Sequence, residues 1–212
     1  MPDHQNAIGG RTGQQGIALV FTLCLLLVIL LLGVSAAQMA LQGEKAARGE
    51  RDRQIAFQAA EEALMDAERD IEGQPGAPGR SAMFASDSAA GFAADCVGQP
   101  GLCLPAAGSA PPIWLVKELD ADDESVGGAV AYGRFTGAAM QTGQGFLPFR
   151  RPRYLIELLP FHAPGEEAGA PLGAAAPASY LYRVTAIGFG ASVDTQVVLQ
   201  TYYRKQTAEA AP

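Results

Sequence analysis

The chain has 212 residues, and 22 acidic against 15 basic side chains leave it with a net charge of −7. That balance excludes the broad phosphate-neutralising surface on which nonspecific nucleic-acid binding depends, and 49% hydrophobic against 17% charged residues excludes a chain disordered throughout. Two histidines and three cysteines are too few for a rich metal site, while 25 glycines and 14 prolines call for long turns and irregular connections.

Residues 17–37, IALVFTLCLLLVILLLGVSAA, hold 21 positions without a charge, and fourteen of these are Leu, Ile, Val or Phe. At about 1.5 Å per residue such a helix spans roughly 30 Å, the thickness of a bilayer's hydrocarbon core. Three segments share this appearance. One is a cleaved secretory signal, with Val34-Ser35-Ala36 as small residues before the cut. Another is an uncleaved anchor. The third is a short polar leader, 1–16, ending in Gly16 and followed at once by the apolar helix.

The helical pattern continues past the apolar run. Residues 38–72 contain no proline and are rich in Ala, Glu, Arg, Gln and Leu. Phe57, Ala60, Leu64, Ala67 and Ile71 recur at steps of three and four, predicting an apolar stripe that docks on a sheet. Glu61, Glu62, Asp66, Arg69 and Asp70 are assigned to the polar face. Gly73-Gln74-Pro75-Gly76 predicts the stop.

Residues 73–112 hold 13 Gly or Pro and read as loops with short helical turns. Within them Cys96 and Cys103 enclose a six-residue loop. This spacing reads as a disulfide in an exported domain; two free thiols or a redox pair are the rivals. A head over 113–204 follows, with strand-like runs at 113–119, 129–135, 153–161, 179–188 and 192–203. The last two predict a hairpin turning at Gly190-Ala191-Ser192. Their alternation predicts one sheet face on the helix stripe and one toward solvent. Residues 162–178 read as a loop and 205–212 as a frayed tail. The fold class is α+β: a long N-terminal helix packed on a small antiparallel sheet.

No nucleophile elbow, P-loop, dinucleotide fingerprint or H-E-x-x-H is present. His162 sits in a loop. Asp120, Asp122, Asp123 and Glu124 lack the sixth-position glycine of an EF-hand and read as a solvated turn. The chain is read as a non-enzyme with no cofactor, no catalytic residue and no metal ligand.

Several stretches together resemble the PilX family of type IV pilus minor pilins. They are Gln15-Gly16-Ile17-Ala18-Leu19-Val20, Leu31-Leu32-Gly33-Val34-Ser35, Ala56-Phe57-Gln58-Ala59-Ala60-Glu61, Tyr132-Gly133-Arg134-Phe135-Thr136-Gly137, Pro152-Arg153-Tyr154, Tyr182-Arg183-Val184-Thr185-Ala186, Gly188-Phe189-Gly190 and Val198-Leu199-Gln200. The stretch at about 73–130 matches poorly. The resemblance implies that prepilin peptidase cuts after Gly16 and that Ile17 is N-methylated. It implies a helix held in inner-membrane lipid, the N-terminus cytoplasmic and the head periplasmic, until the chain enters a pilus. Its implied partners are other minor pilins, the major pilin and a large tip adhesin, and its implied role is priming assembly at or near the tip, in support of adhesion and twitching motility. A type II secretion pseudopilin, or a membrane-anchored periplasmic hydrolase with an unrecognised acidic site, are the other readings.

One departure is informative. Pilins carry Glu at the fifth position after the cut, and this chain has Phe21. A buried glutamate there needs a partner, and a neighbour's amino terminus is the natural one. A subunit added first has no earlier neighbour to serve, so Phe21 fits a tip position. The charge bias argues against the implied topology: Arg11 precedes the span, whereas Lys45, Arg48, Arg51 and Arg53 follow it.

Overall fold

The structure is a computed structural model describing residues 15–76, 79–85, 88–96, 98–122, 128–143, 145–161 and 179–205. The leader before residue 15, Asp123, Glu124, His162 with its loop, and the tail beyond 205 lie outside the described residues. Two compact units divide the chain, 1–49 and 50–212.

Helix α1, Gln15–Glu72, contributes to both units. It ends where the sequence places the stop: Gly73 takes φ +84, and its N–H donates to Arg69 O at 2.8 Å. A left-handed residue at this position is what glycine supplies at least cost.

In the second unit, β1 (Leu102–Cys103), β2 (Val130–Ala131), β3 (Arg153–Phe161), β4 (Ser179–Phe189) and β5 (Gln196–Tyr203) form one sheet. Its order is β1-β3-β4-β5, with β2 also pairing β3. The β3–β4 and β4–β5 pairings are antiparallel, as the sequence predicts. The α+β class holds, and one detail is added: β1 runs parallel to β3, so the sheet is mixed.

Three predicted runs form less strand than expected. Residues 113–119 begin instead as a short helix α2, Ile113–Val116, after Pro111-Pro112; the prolines fix φ and lack an N–H for a ladder. Only Val130–Ala131 of 129–135 pairs. The chain then turns at Gly133, φ +78, where a Cβ would lie 1.9 Å from Ala138 O. β5 starts at Gln196 because Asp52 of α1 holds the preceding turn, accepting from Ala191 N at 2.5 Å and Ser192 N at 3.2 Å.

The face α1 presents to the sheet differs from the predicted stripe. Ala56, Ala59, Ala60, Ala63, Ala67 and Ile71 are buried, Leu64 is half-buried against them, and Phe57 is 43% exposed. The reason lies in β4. A Cβ on Gly188 would meet Ala56 O at 2.1 Å and Ala60 N at 2.4 Å, so helix backbone lies directly on strand backbone. Only alanine-sized residues fit such an approach, and the helix turns Phe57 outward.

The sheet face toward α1 supplies Tyr154, Ile156, Leu158, Tyr182, Val184 and Ala186 to the larger core, with Phe84, Phe92, Leu102 and Val130 closing its side. Phe84 and Tyr182 meet edge to face, ring centroids 5.4 Å apart. The opposite sheet face, predicted to meet solvent, carries a second cluster. Leu155, Ile187 and Phe189 pack there with Cys96, Cys103, Leu119 and Ala129, because the Gly/Pro-rich connection folds back over it. Glu157, fully buried on that face, lies across the ladder from Arg183 and accepts two hydrogen bonds from it, 2.9 and 2.7 Å.

Candidate assembly surface and its supports

In the first unit the candidate surface is an uncharged helix. Gly16, Ile17 and Phe21 lie in the first turns of α1, with Ile17 73% and Phe21 65% exposed. Large apolar side chains remain exposed from Ile17 through Leu41. The helix is long and apolar enough to cross a membrane, its best window having a mean hydropathy of 3.2 and none of it buried. Such a surface demands lipid or other apolar helices around it. Its two hydroxyls are satisfied within the helix: Thr22 Oγ1 donates to Leu19 O and Ser35 Oγ to Leu31 O, each at 2.9 Å. The thiol of Cys24 is free and exposed. No charged residue occurs in α1 before Glu44, so Phe21 is part of an unbroken apolar surface.

In the second unit the sequence reading places Asp66 and Asp70 on the polar face; both are buried, at 0% and 1% exposure. Asp70 accepts from Arg80 Nε at 3.2 and 3.0 Å and from Arg80 Nη2 at 2.8 Å, and Tyr154 Oη donates to the same carboxylate at 3.0 Å. Arg80 also donates to Pro100 O, and its guanidinium sits 3.7 Å from the centroid of the Phe135 ring. One turn earlier, Asp66 accepts from Gly133 N at 2.7 Å and from Thr136 Oγ1. Two carboxylates at i and i+4 thus tie α1 to the connection at 80–100, to the turn at 133–136 and to β3. A sequence signal exists: Asp66 and Asp70 continue, at steps of three and four, the alanine series 56, 59, 63 and 67.

Burial dominates the titration of this region. It pushes the Asp66 carboxyl above its ordinary value, against hydrogen bonds from Thr136 and Gly133. It pushes the Tyr154 phenol well above its own, with Asp70 adding to the effect. Tyr203 is raised to about 12, first by the hydrogen bond that its hydroxyl donates to Glu72. Because the folded value exceeds the unfolded one of 10.0, the contact's stabilisation is complete below pH 10 and is lost as pH rises toward about 12. The variant Glu72→Gln is predicted to return Tyr203 toward its ordinary range. Phenolate absorbance followed against the parent chain checks this, and an unchanged late titration step would sink it.

Cys96 and Cys103 form a disulfide, their Cα atoms 4.4 Å apart, at the centre of the second core cluster. Nearby, Asp120 and Asp122 face Arg150 at 3.8 and 3.2 Å, and Asp122 also faces Arg153 at 3.5 Å. These two acids of the predicted solvated turn are engaged by arginines. Among the described residues no group of three or more His, Cys, Asp or Glu side chains is placed to hold a metal ion.

Two family models match the chain. The PilX N-terminal model covers residues 15–64, and the model described as type IV pilus assembly protein PilX C-term covers residues 99–205. The stretch between the matches, 65–98, is shorter than the poorly matching region read from the sequence. No curated protein and no solved structure matches the chain significantly.

Proposed function

From the chain's membership of the PilX family of type IV pilus assembly proteins, we propose that it is a minor pilin that primes pilus assembly and sits at or near the pilus tip. Prepilin peptidase cuts after Gly16, and the new amino terminus at Ile17 is methylated. The apolar half of α1 waits in the inner membrane, head outward in the periplasm, and then enters the filament core. There it exchanges lipid for neighbouring helices: other minor pilins, the major pilin and a large tip adhesin. The role is structural and supports pilus biogenesis, and through it adhesion and twitching motility.

The observation that carries the tip position is Phe21 within the uncharged helix surface. An ionised group in that core is costly without a partner. A first subunit has no preceding amine to neutralise, and Phe21 removes the requirement. In the head, Asp66, Asp70, Arg80, Glu157 and Arg183 are engaged in holding the fold, which suits a rigid building block.

The test is the mass and N-terminal sequence of the chain extracted from membranes, together with its presence in sheared pili. The expected start is methylated Ile17, and Gly16→Leu is expected to retain the leader and abolish surface pili in a strain lacking the parent gene. A start at Ala37 would mean a signal peptide, and an intact leader a plain anchor; either removes the pilin reading.

A further inference from the structure

The second unit carries two exposed apolar features, one beside α1 and the other on the sheet face away from it. The first is a groove of about 670 Å³ between the outward side of α1 and residues 140–148. Ile55, Met65, Met140, Phe146 and Leu147 make its lining apolar, and Phe146 is 71% exposed. Its outer wall is fixed in place: Gly143 N donates to Pro148 O at 2.9 Å, and Phe149 N donates to Gly190 O at 2.7 Å. Charges of opposite sign stand at the two ends. Glu61 and Glu62 line one end and are exposed. At the other, the Arg51 guanidinium lies 5.0 Å from the centroid of the Phe146 ring. Arg51 and Glu61 are about 15 Å apart along the helix.

The second feature is a knob. Ile113 and Trp114 of α2 pack against the cluster on the sheet face away from α1. Leu115 and Val116 are left 65% and 61% exposed. The helix is a single turn, about 6 Å long, and so fits between the charged ends of the groove. Lys117 follows with extended backbone, φ −81 and ψ 140. Successive side chains of an extended chain point to opposite sides, so Lys117 and Glu118 diverge behind the knob. Knob and groove therefore match in both respects: apolar at the centre, with one charge of each sign at the margins.

We propose that α2 of one copy of this chain docks in the groove of a second copy. Leu115 and Val116 meet Met65 and Phe146, Lys117 meets Glu61 and Glu62, and Glu118 meets Arg51. One chain cannot make the contact with itself, because Ile113 and Trp114 hold its α2 on the far sheet face. Knob and groove are different surfaces, so the interface is heterologous and each copy offers one of each. Apolar burial supplies the attraction, and the two charge pairs fix the orientation. The contact needs two heads and nothing else, so it does not rest on the tip position proposed above.

The experiment expresses two differently tagged full-length copies in one strain, with benzoylphenylalanine at Leu115 of the first. The expected photo-adduct joins the two tags and maps to residues 55–65 or 140–148 of the second copy. Lys117→Glu in the first copy is expected to lower the yield about fivefold to tenfold, and Glu61→Lys with Glu62→Lys in the second copy to do the same, with membrane levels unchanged. Combining the two reversals is expected to restore the yield to within about twofold, an outcome that a merely structural role for these side chains would not give. An adduct within one chain, to lipid or to a different protein overturns the proposal. So does the absence of an adduct while both copies are in the membrane, or a combined reversal that restores nothing.

Discussion

Replacing Asp70 with alanine is expected to destabilise the head by about 3–5 kcal/mol, the cost of leaving one member of a buried ion pair without its partner. Arg80 is 6% exposed, and its Nε and one terminal nitrogen are both committed to Asp70. With the carboxylate gone, the guanidinium keeps Pro100 O and the Phe135 ring but loses its counter-charge. Tyr154, fully buried, loses the acceptor of its hydroxyl at the same time. Urea denaturation of the full chain in detergent micelles, followed through the single Trp114, would measure the change. Asp70→Ala combined with Arg80→Leu removes both charges and is expected to recover part of the loss. A cost below about 1 kcal/mol, the range of an exposed pair, would show that the network does not bind helix to head.

How these carboxylates escaped the sequence reading is a matter of angle. Two stripes on α1 lie about one residue apart: Phe57, Ala60, Leu64, Ala67, Ile71, and Ala56, Ala59, Ala63, Ala67, Asp70. A hydrophobicity pattern selects the first because Phe and Leu outweigh Ala. What decides between them is not in the helix. Gly188 in β4 and the donors at Arg80, Gly133, Thr136 and Tyr154 lie some 10 to 130 positions away, and they accept small and acidic residues where a pattern expects large apolar ones. By contrast, the span at 17–37 and the strands β3, β4 and β5 were legible because a single physical rule governs each: sustained apolarity for the span, β-branched and aromatic alternation for the strands. The disulfide was legible from the short spacing of Cys96 and Cys103. Residues 113–119 and 129–135 share that strand-like composition, yet prolines before the first and Gly133 within the second redirect the backbone. The exposed apolar surface of the first helix was readable from composition, whereas the pairing order of the sheet, which leaves β5 at its end, is contained in no local pattern.

The closest contact in the head carries the second large effect. Gly188→Val is expected to cost about 3 kcal/mol, the upper end of what overpacking a well-filled core costs. The usual relief is for a flexible side chain to swing away. Here the new Cβ meets the backbone of Ala56 and Ala60, at 2.1 and 2.4 Å, so relief requires the helix itself to move. Moving it outward would open the alanine face from Ala56 to Ala67, lengthen the Asp66 and Asp70 contacts and loosen the hold of Asp52 on the β4–β5 turn. Valine is otherwise at home in a strand, so propensity opposes the loss and the measured cost isolates the collision. The same substitution at Ile187, one residue away and facing the second cluster, removes a single methylene and should cost only about 0.5–1.5 kcal/mol. Limited proteolysis would read the displaced helix directly, with cleavage appearing within residues 50–72 in Gly188→Val and not in Ile187→Val. Equal stability and equal protection of the two variants would mean that the helix does not rest on β4 through its backbone, and the close approach at Gly188 would have to be abandoned.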